Sequence, residues 1–318
     1  MKQKIFTLLL ISAIGLVSCR KDKIEQDIYQ YDDSQIQNYI SANGITGMQK
    51  DASPLDSPGI YYKIILPGKI VPPATELVPL DYPDKVSYVF TLRSLDGKYI
   101  SSDTINNHME DYLGHLTADA LPYGLQMAMR NIVKYKGASA RLLIPSHLAY
   151  GVSGYGSGSS TTANAKIAGN QSLDYYVHII DNYSTYDEQV IHNNYDVSTY
   201  IKKESTLLPG NFYYYKILTP GTGTSPITSA SSFTATYTGS LLNGTVFDGS
   251  NNGDNVSAPL IVTSLVQGVQ EALENNVVVG TKISMIIPST LGYGNTTSGT
   301  IPVNSVLRFT FVIVSVTP

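Results

Sequence analysis

The chain contains one long internal repeat, and this feature constrains its fold more than any other. RLLIPSHLAYG in the first half returns as SMIIPSTLGYG in the second, and two further segments return in the same order. The matching pairs are 59–68 with 211–221, 86–97 with 233–244, and 141–151 with 284–294. A period of roughly 150 residues is too long for a solenoid, whose units have about 20–50 residues. We therefore expect two homologous domains in this chain of 318 residues.

Each copy predicts a small α+β domain. Several segments alternate apolar with small or polar residues, as half-buried strands do, and 26 glycines and 16 prolines punctuate them. We expect about five antiparallel strands in each domain, forming a strongly bent sheet wrapped on one short helix. The expected boundaries are a tether with a helical preface at 20–58, domain one at 59–182, a linker with a second preface at 183–210, and domain two at 211–318.

The two prefaces are polar segments that favour helices. In the first, Asp32 to Ile40, the apolar residues follow helical spacing, and the second runs from Asp196 to Ile201. Each opens with an aspartate, a good N-cap residue. A flexible tether is the alternative interpretation of both segments.

The first 19 residues have the features of a secretory leader. Lys2 and Lys4 precede an apolar run from Ile5 to Val17, which is too short to span a membrane. The run ends in Leu-Val-Ser-Cys19, which resembles the bacterial lipobox, where the cysteine is lipidated and the chain is cut before it. We expect residues 1–19 to be a lipoprotein signal peptide and Cys19 to anchor the protein to a lipid membrane of the bacterial cell envelope, most readily the outer membrane, with its face left open. An ordinary secretory signal is the alternative.

Composition excludes several functions. Charged residues make up 14% of the chain and the net charge is −4, which argues against a nucleic-acid surface. The five histidines lack metal-ligand spacing with acidic residues or with the single cysteine, so we expect no metal and no cofactor. The acidic loop from Asp248 to Asp254 lacks the distal glutamate of a calcium loop.

One hairpin in domain two predicts a binding pocket. A strand from Phe233 to Leu242 is followed by Asn243-Gly244, which predicts a type I′ turn, and by a return strand from Thr245 to Asp248. This pairing places Tyr237, Phe247 and Asp248 close together, as the wall of an apolar pocket with one polar group. The alternative is a core hairpin whose aspartate starts a turn.

Further motifs follow this hairpin in a fixed order. The complete series is Tyr-Thr-Gly at 237–239, Asn-Gly at 243–244, Phe-Asp at 247–248, Leu-Val-Gln-Gly-Val at 265–269, Gly-Tyr-Gly at 292–294 and Ile-Pro at 301–302. The series resembles the FKBP-type peptidyl-prolyl cis/trans isomerases over nearly all of domain two, and more weakly over domain one. The resemblance implies two FKBP-like domains and Pro-containing polypeptides as partners.

The resemblance also implies the site residues of domain two. The implied catalytic residues are Tyr237, Phe247, Asp248, Val266 and Tyr293. The implied substrate-binding residues are Leu260, Leu265, Val269, Ile301 and Phe309. The family usually has tryptophan at the pocket floor, where this chain has Val269, so we expect a shallower or wider floor.

Domain one departs from the pattern at the same positions. Phe90, Ile100 and Ser101 stand where domain two has Tyr237, Phe247 and Asp248. The other matched positions are Pro122, Leu125, Tyr150, Ile167 and Tyr175. We expect domain one to keep the fold with poor or absent activity.

The function that follows is an envelope-anchored prolyl isomerase and folding helper whose activity lies in domain two. Rotation about an X-Pro bond needs no nucleophile, metal or acid–base pair. A dry apolar pocket is sufficient to favour this rotation. The alternative is a non-catalytic chaperone or binding module that holds Pro-containing or unfolded segments. A surface-exposed binder of host or glycan ligands is a third, weaker hypothesis.

Overall fold

The computed structural model describes 27–53, 59–101, 108–157, 159, 163–250, 253–274 and 277–318. The expected signal peptide and Cys19 lie outside the described residues. Within them, no helix is long and apolar enough to cross a membrane.

The described elements are four α-helices and sixteen strands. The helices are α1 Ile28–Ala42, α2 Tyr123–Ala128, α3 Tyr183–Asn194 and α4 Gln267–Leu273. The strands of the first half are β1 Gln49–Lys50, β2 Tyr61–Leu66, β3 Lys85–Ser94, β4 Ile100–Ser101, β5 Met109–Tyr112, β6 Ser139–Ile144, β7 Tyr155–Gly156, β8 Lys166–Ile167 and β9 Leu173–Ile179. Those of the second half are β10 Ile201–Glu204, β11 Phe212–Thr219, β12 Ser232–Leu241, β13 Val246–Gly249, β14 Leu260–Ile261, β15 Lys282–Ile287 and β16 Leu307–Thr317.

The two halves form the same antiparallel sheet. In the first half the order is β1-β2-β6-β9-β3-β4 with β5 also on β3, and in the second it is β10-β11-β15-β16-β12-β13 with β14 also on β12. The α+β class with few helices is therefore confirmed. The expected count of about five strands per domain is too low, because each sheet has seven. The strands that sequence patterns missed are mostly two to four residues long, too short to show an alternation.

The hairpin at 232–249 differs from the expected type I′ turn. Gly244 has φ +86°, but Asn243 is not among the non-glycine residues with positive φ. Leu241 N–H donates to the Thr245 carbonyl and Gly244 N–H donates to the Leu241 carbonyl. This three-residue loop, a type I turn followed by a left-handed glycine, keeps the two strands in register with a bulge.

The prefaces also differ from expectation. The first is a longer helix, α1, while the second helix prediction, Asp196 to Ile201, is wrong. The helix lies earlier, in α3, where the Asn182 side chain accepts from Thr185 N–H as an N-cap. The side chain of Asp196 instead accepts from Ser198 N–H in a turn that leads into β10.

Helices α1 and α3 pack on the outer faces of the two sheets. Ile36 of α1 is fully buried against Tyr61 and Leu143. Val190 and Ile191 of α3 are buried in a cluster that includes Tyr214, Ile286 and Val306. The segments expected to be tether and linker therefore contain helices and edge strands that belong to the two folded units.

Helices α2 and α4 fill the concave side of each sheet. Leu125 and Ala128 of α2 are fully buried in the first core. Val269, Ala272 and Leu273 of α4 are buried against β15 and β16 in the second. The concave surface beside the start of α4 is where the expected site residues of domain two lie.

Candidate active site

The expected hairpin residues meet at the edge of the concave face of β12. The Tyr237 hydroxyl donates to Asp248 Oδ1 over 3.1 Å. The Tyr237 ring stacks on Phe311, with centroids 5.1 Å apart and an interplanar angle of 9°. Asp248 is exposed, so the carboxylate lies at the rim while the phenol ring lies on the aromatic core.

The surface below this rim is apolar. Val269, Ile301 and Phe309 are 1%, 4% and 6% exposed and form its base. Five partly exposed residues pack against the core cluster that contains this base, and we take them as its walls: Tyr237, Phe247, Leu260, Leu265 and Val266. A buried apolar base with half-exposed apolar walls can take an apolar ring out of water. We call this surface the domain-two cup.

Gly239 makes room for the aromatic side of the cup. A Cβ atom at this position would lie 2.8 Å from both Phe247 Cε2 and Phe309 Cε1. These two rings meet edge to face, with centroids 5.7 Å apart. The absence of a side chain at Gly239 therefore lets Phe247 lean over the strand and contact Phe309.

Electrostatics keep the rim phenol protonated. Burial, followed by the nearby Asp248 carboxylate and its hydrogen bond, raises the pKa of Tyr237 to about 12. Tyr293 is close enough to raise the pKa of Tyr237 further. The Tyr293 side chain is 37% exposed. Tyr237 therefore remains a neutral hydrogen-bond donor over the physiological pH range.

Val266 contributes a backbone group to the cup. It is the N-cap of α4, and its carbonyl accepts from Val269 N–H and Gln270 N–H. The carbonyl of an N-cap residue accepts a hydrogen bond from the helix, whereas the first backbone N–H groups have no acceptor within the helix. The Val266 N–H is thus outside the helical hydrogen-bond ladder, beside the apolar walls.

Domain one fills the same place with side chains. In domain two, Gly239 lies opposite Phe309 on one neighbouring strand and opposite Asp248 on the other. In domain one, Leu92 holds the matching position, opposite Tyr175 and Ser101. Leu92 is only 5% exposed. Its isobutyl group therefore lies where the Phe247 ring lies over Gly239 in domain two.

Further aromatic groups close this region of domain one. Tyr88, Phe90 and Tyr175 are 0%, 6% and 0% exposed. Tyr150, which matches Tyr293, donates to the Ala120 carbonyl over 3.1 Å and stacks on Tyr155. In contrast to Phe247, Ile100 is 41% exposed.

Domain one also lacks the backbone donor. Pro122 is the N-cap of α2 and takes the place of Val266. Proline has no backbone N–H. Domain one therefore retains the sheet and helix without the carboxylate or this donor.

The structure brings the expected site residues of domain two into one region, and their roles in binding and catalysis stay predictions. Sequence reasoning missed Gly239 and Phe311. The glycine in Tyr-Thr-Gly was visible, but its contact with Phe247 and Phe309 depends on the register of three strands. Among the described residues, no group of three or more His, Cys, Asp or Glu side chains could hold a metal ion.

The fold and the cup define a class of protein: a bent antiparallel sheet wrapped on a short helix, with an apolar concave site and a polar rim. The family model for FKBP-type peptidyl-prolyl cis-trans isomerase matches residues 223–314. The similarity to this family therefore lies in domain two.

Relatives share this similarity over part of their length. The FKBP-type peptidyl-prolyl cis-trans isomerase FkpA of Buchnera aphidicola is 40% identical over 90 residues, which are 28% of this chain and 34% of that protein. The peptidyl-prolyl cis-trans isomerase FKBP9 of Rattus norvegicus is 28% identical over 232 residues, 71% of this chain and 34% of that protein. The chain thus spans about a third of the length of these curated relatives. The crystal structure of FkpA from Escherichia coli has 26% identity, covers 42% of this chain and 57% of that chain, and has a TM-score of 0.34.

Proposed function

We propose that this protein is a peptidyl-prolyl cis/trans isomerase and folding helper whose activity lies in domain two. The observation that carries the proposal is the contrast between the two copies of one fold. Domain two has a half-exposed apolar cup with a Tyr237–Asp248 rim, and domain one has the same surface filled by Leu92 and buried aromatic rings.

The reaction requires only a rotation about the X-Pro amide. Its barrier is about 18–20 kcal/mol, because the twist breaks amide resonance. A water-poor surface disfavours the planar, more polar amide relative to the twisted one, and each ~1.4 kcal/mol of differential stabilisation gives about a tenfold rate increase. The domain-two cup supplies such a surface without a charged group at its base.

Each part of the cup has a proposed role. Phe247, Phe309 and Val269 hold the prolyl ring by apolar contact. The Val266 N–H and the Tyr293 hydroxyl bind substrate carbonyls, as the family resemblance implies. Tyr237 and Asp248 fix the polar rim, since their hydrogen bond ties the strand-end carboxylate to the aromatic wall.

The direct test is an isomerisation assay on an X-Pro peptide with the full chain. Wild type should accelerate cis–trans exchange, and Phe247→Ala should lower kcat/KM by about tenfold or more because it removes one wall of the cup. Ile100→Ala, the matched change in domain one, should leave kcat/KM unchanged. A folded wild-type protein that does not accelerate exchange would refute the proposal.

One observation favours a second function, a chaperone that holds Pro-containing or unfolded segments without turnover. The cup base has Val269 in place of the family's tryptophan, so a bound prolyl ring would be less closely enclosed. This alternative predicts that Asp248→Val and Phe247→Tyr leave binding of an unfolded protein unchanged. The isomerase proposal predicts that the same variants lose activity.

Anchoring to the bacterial cell envelope is a separate proposal, supported by the leader that ends in Cys19. Two or more acyl chains on one cysteine would supply a stable membrane attachment. Cys19→Ser should prevent incorporation of a labelled fatty acid and release the protein from the membrane fraction. Unchanged incorporation of the labelled fatty acid into Cys19→Ser would contradict lipidation at this cysteine.

A further inference from the structure

One segment of domain two carries two of the expected site residues and joins β15 to β16. It runs from 288 to 304, includes Tyr293 and Ile301, and is called the flap. Inside the flap, Asn304 N–H donates to the Gly294 carbonyl over 2.6 Å and Gly294 N–H donates to the Ser289 carbonyl over 3.0 Å. Its two ends, Ser289 and Asn304, are therefore linked through Gly294, the residue next to Tyr293.

The first end of the flap is held by helix α3. Asp187 Oδ2 accepts from Ser289 N–H over 2.7 Å and from the Ser289 hydroxyl over 2.6 Å. Both residues are 1% exposed. Hydrogen bonds to a buried carboxylate are among the stronger ones in proteins, so this pair fixes the start of the flap.

The second end is held by domain one. The Asn304 side-chain amide donates to the His108 carbonyl over 2.7 Å. Asn304 is 3% exposed and His108 is fully buried. Loss of this bond would leave a buried carbonyl without that donor, which carries a larger cost than loss of an exposed bond.

His108 is itself fixed at the joint between the two halves. Its Nδ1 contacts the Ser87 hydroxyl of β3. Its ring stacks on Tyr183 of α3, with centroids 5.0 Å apart. Its Nε2 lies 4.0 Å from Oδ1 of Asp187, the carboxylate that holds Ser289. The anchors of the two flap ends therefore meet in one buried cluster.

The repeat shows which part of this arrangement is particular to domain two. In domain one Asp32 also accepts from the Ser146 hydroxyl over 2.7 Å, and Asn170 N–H donates to the Gly151 carbonyl over 2.8 Å. The side-chain Oδ1 of Asn170 is buried without a hydrogen-bond partner among the residues that the structure describes. The bond from the helix carboxylate to the serine at the start of the flap thus occurs in both domains. The side-chain bond from Asn304 to the His108 carbonyl, which joins the two domains, is particular to domain two.

We propose that Asp187 and Asn304 are positioning residues that hold the flap of domain two at both ends, so that domain one, whose own site is filled, helps to place Tyr293 and Ile301 at the cup. This inference rests on the proposed isomerase function for its kinetic consequences. Its structural content, the anchoring of the flap by helix α3 and by domain one, can be tested without activity.

The decisive variant is Asn304→Gly in the full chain. Asn304 has φ +52°, a conformation that glycine adopts without strain, so the change removes the side-chain bond and keeps the backbone. The matched control is Asn170→Gly, at φ +54° in domain one. Amide hydrogen exchange of residues 288–304 and kcat/KM for an X-Pro peptide are measured in both proteins and in wild type.

Asn304→Gly should speed exchange of the flap amides about tenfold, as expected for loss of one buried hydrogen bond. It should also raise KM for the peptide several-fold with a smaller change in kcat, while Asn170→Gly changes neither flap exchange in domain two nor kinetics. Flap exchange equal to wild type would overturn the inference. An inactive wild type with a flap loosened by Asn304→Gly would instead refute the isomerase function and leave the anchoring in place.

A second pair of variants tests the other anchor. Asp187→Ala removes the acceptor of both Ser289 bonds and should loosen the flap from Ser289 onward, while Asp32→Ala should loosen only the matching loop of domain one. Ser289→Ala removes one of the two bonds to Asp187 and should give an intermediate exchange rate. Unchanged exchange in Asp187→Ala would contradict a positioning role for this residue.

Discussion

Gly239 and Leu92 hold the same place in the two sheets, and this difference decides which side chain covers the strand there: the Phe247 ring in domain two and the Leu92 side chain in domain one. The Cβ atom that Gly239 lacks would lie within 2.8 Å of two ring atoms of the cup. Neither position has a positive φ. The glycine is therefore needed for space and not for backbone conformation.

This comparison predicts the effect of Gly239→Ala. The added methyl group must push Phe247 or Phe309 aside, so kcat/KM should fall about tenfold while overpacking lowers stability by about 1–3 kcal/mol. The peptide assay and thermal unfolding measure the two effects. Leu92→Ala, the control, should destabilise domain one by about 2–5 kcal/mol and leave the kinetics unchanged. Full activity in Gly239→Ala would show that ring placement does not matter.

A second residue-scale prediction concerns the rim phenol. Because burial and Asp248 raise the pKa of Tyr237 to about 12, the group does not ionise below pH 10. The rate should therefore be independent of Tyr237 ionisation between about pH 7 and about pH 9. Tyr237→Phe should lower kcat/KM several-fold by the same factor across this range. If the loss of kcat/KM in Tyr237→Phe disappeared at the alkaline end of this range, the Tyr237 hydroxyl would not be a neutral hydrogen-bond donor there.

At the scale of elements, α3 and the flap are joined by a carboxylate whose titration gives a stability signal. Burial raises the pKa of Asp187 to about 6. Between these two pKa values the folded state keeps a proton that the unfolded state has released. The resulting stabilisation of the folded state is fully present below the ordinary value of 3.8. That advantage is lost as the pH rises through about 6.

Asp187→Asn removes this titration. Relative to wild type, the variant should gain about 1–3 kcal/mol of unfolding free energy between about pH 4 and about pH 7. Denaturant unfolding at the two pH values measures this difference. His108, whose pKa burial lowers to about 4, titrates in both proteins.

Asp32→Asn is the control for this titration. Burial raises the pKa of Asp32, but hydrogen bonds from His147 and Ser146 outweigh it and the net pKa is lowered. Its stabilisation is lost only below 3.8, so this variant should show no pH slope from about pH 5 to about pH 7. A pH-independent difference for Asp187→Asn would contradict the raised pKa.

The elements also show where sequence reasoning stopped. The strand alternation around Tyr237 was visible in the sequence. The second preface was misplaced because Asp196 starts a turn as readily as a helix, while the true N-cap, Asn182, precedes a polar, tyrosine-rich helix. The buried pairs Asp32–Ser146 and Asp187–Ser289 join residues more than 100 positions apart, which no local pattern reveals.

At the scale of the whole molecule, the long repeat predicted two copies of one fold, and the two sheets with identical strand order agree with it. The motif order predicted which residues gather at the cup. Poor or absent activity of domain one was predicted from Phe90, Ile100 and Ser101, and the structure adds the buried Leu92 and Tyr88, where domain two has Gly239 and Ala235. Packing of this kind depends on cross-strand register, which short strands leave undetermined in sequence.

The whole-molecule account assigns catalysis to one of the two copies. The most direct test is an NMR exchange experiment in which a small amount of the full chain is added to an X-Pro peptide. Exchange peaks between the cis and trans forms should appear, and peptide titration should shift the amides of Val266 and Tyr293 while Leu125 and Tyr150 stay unchanged. Absence of exchange, or shifts confined to domain one, would contradict the account.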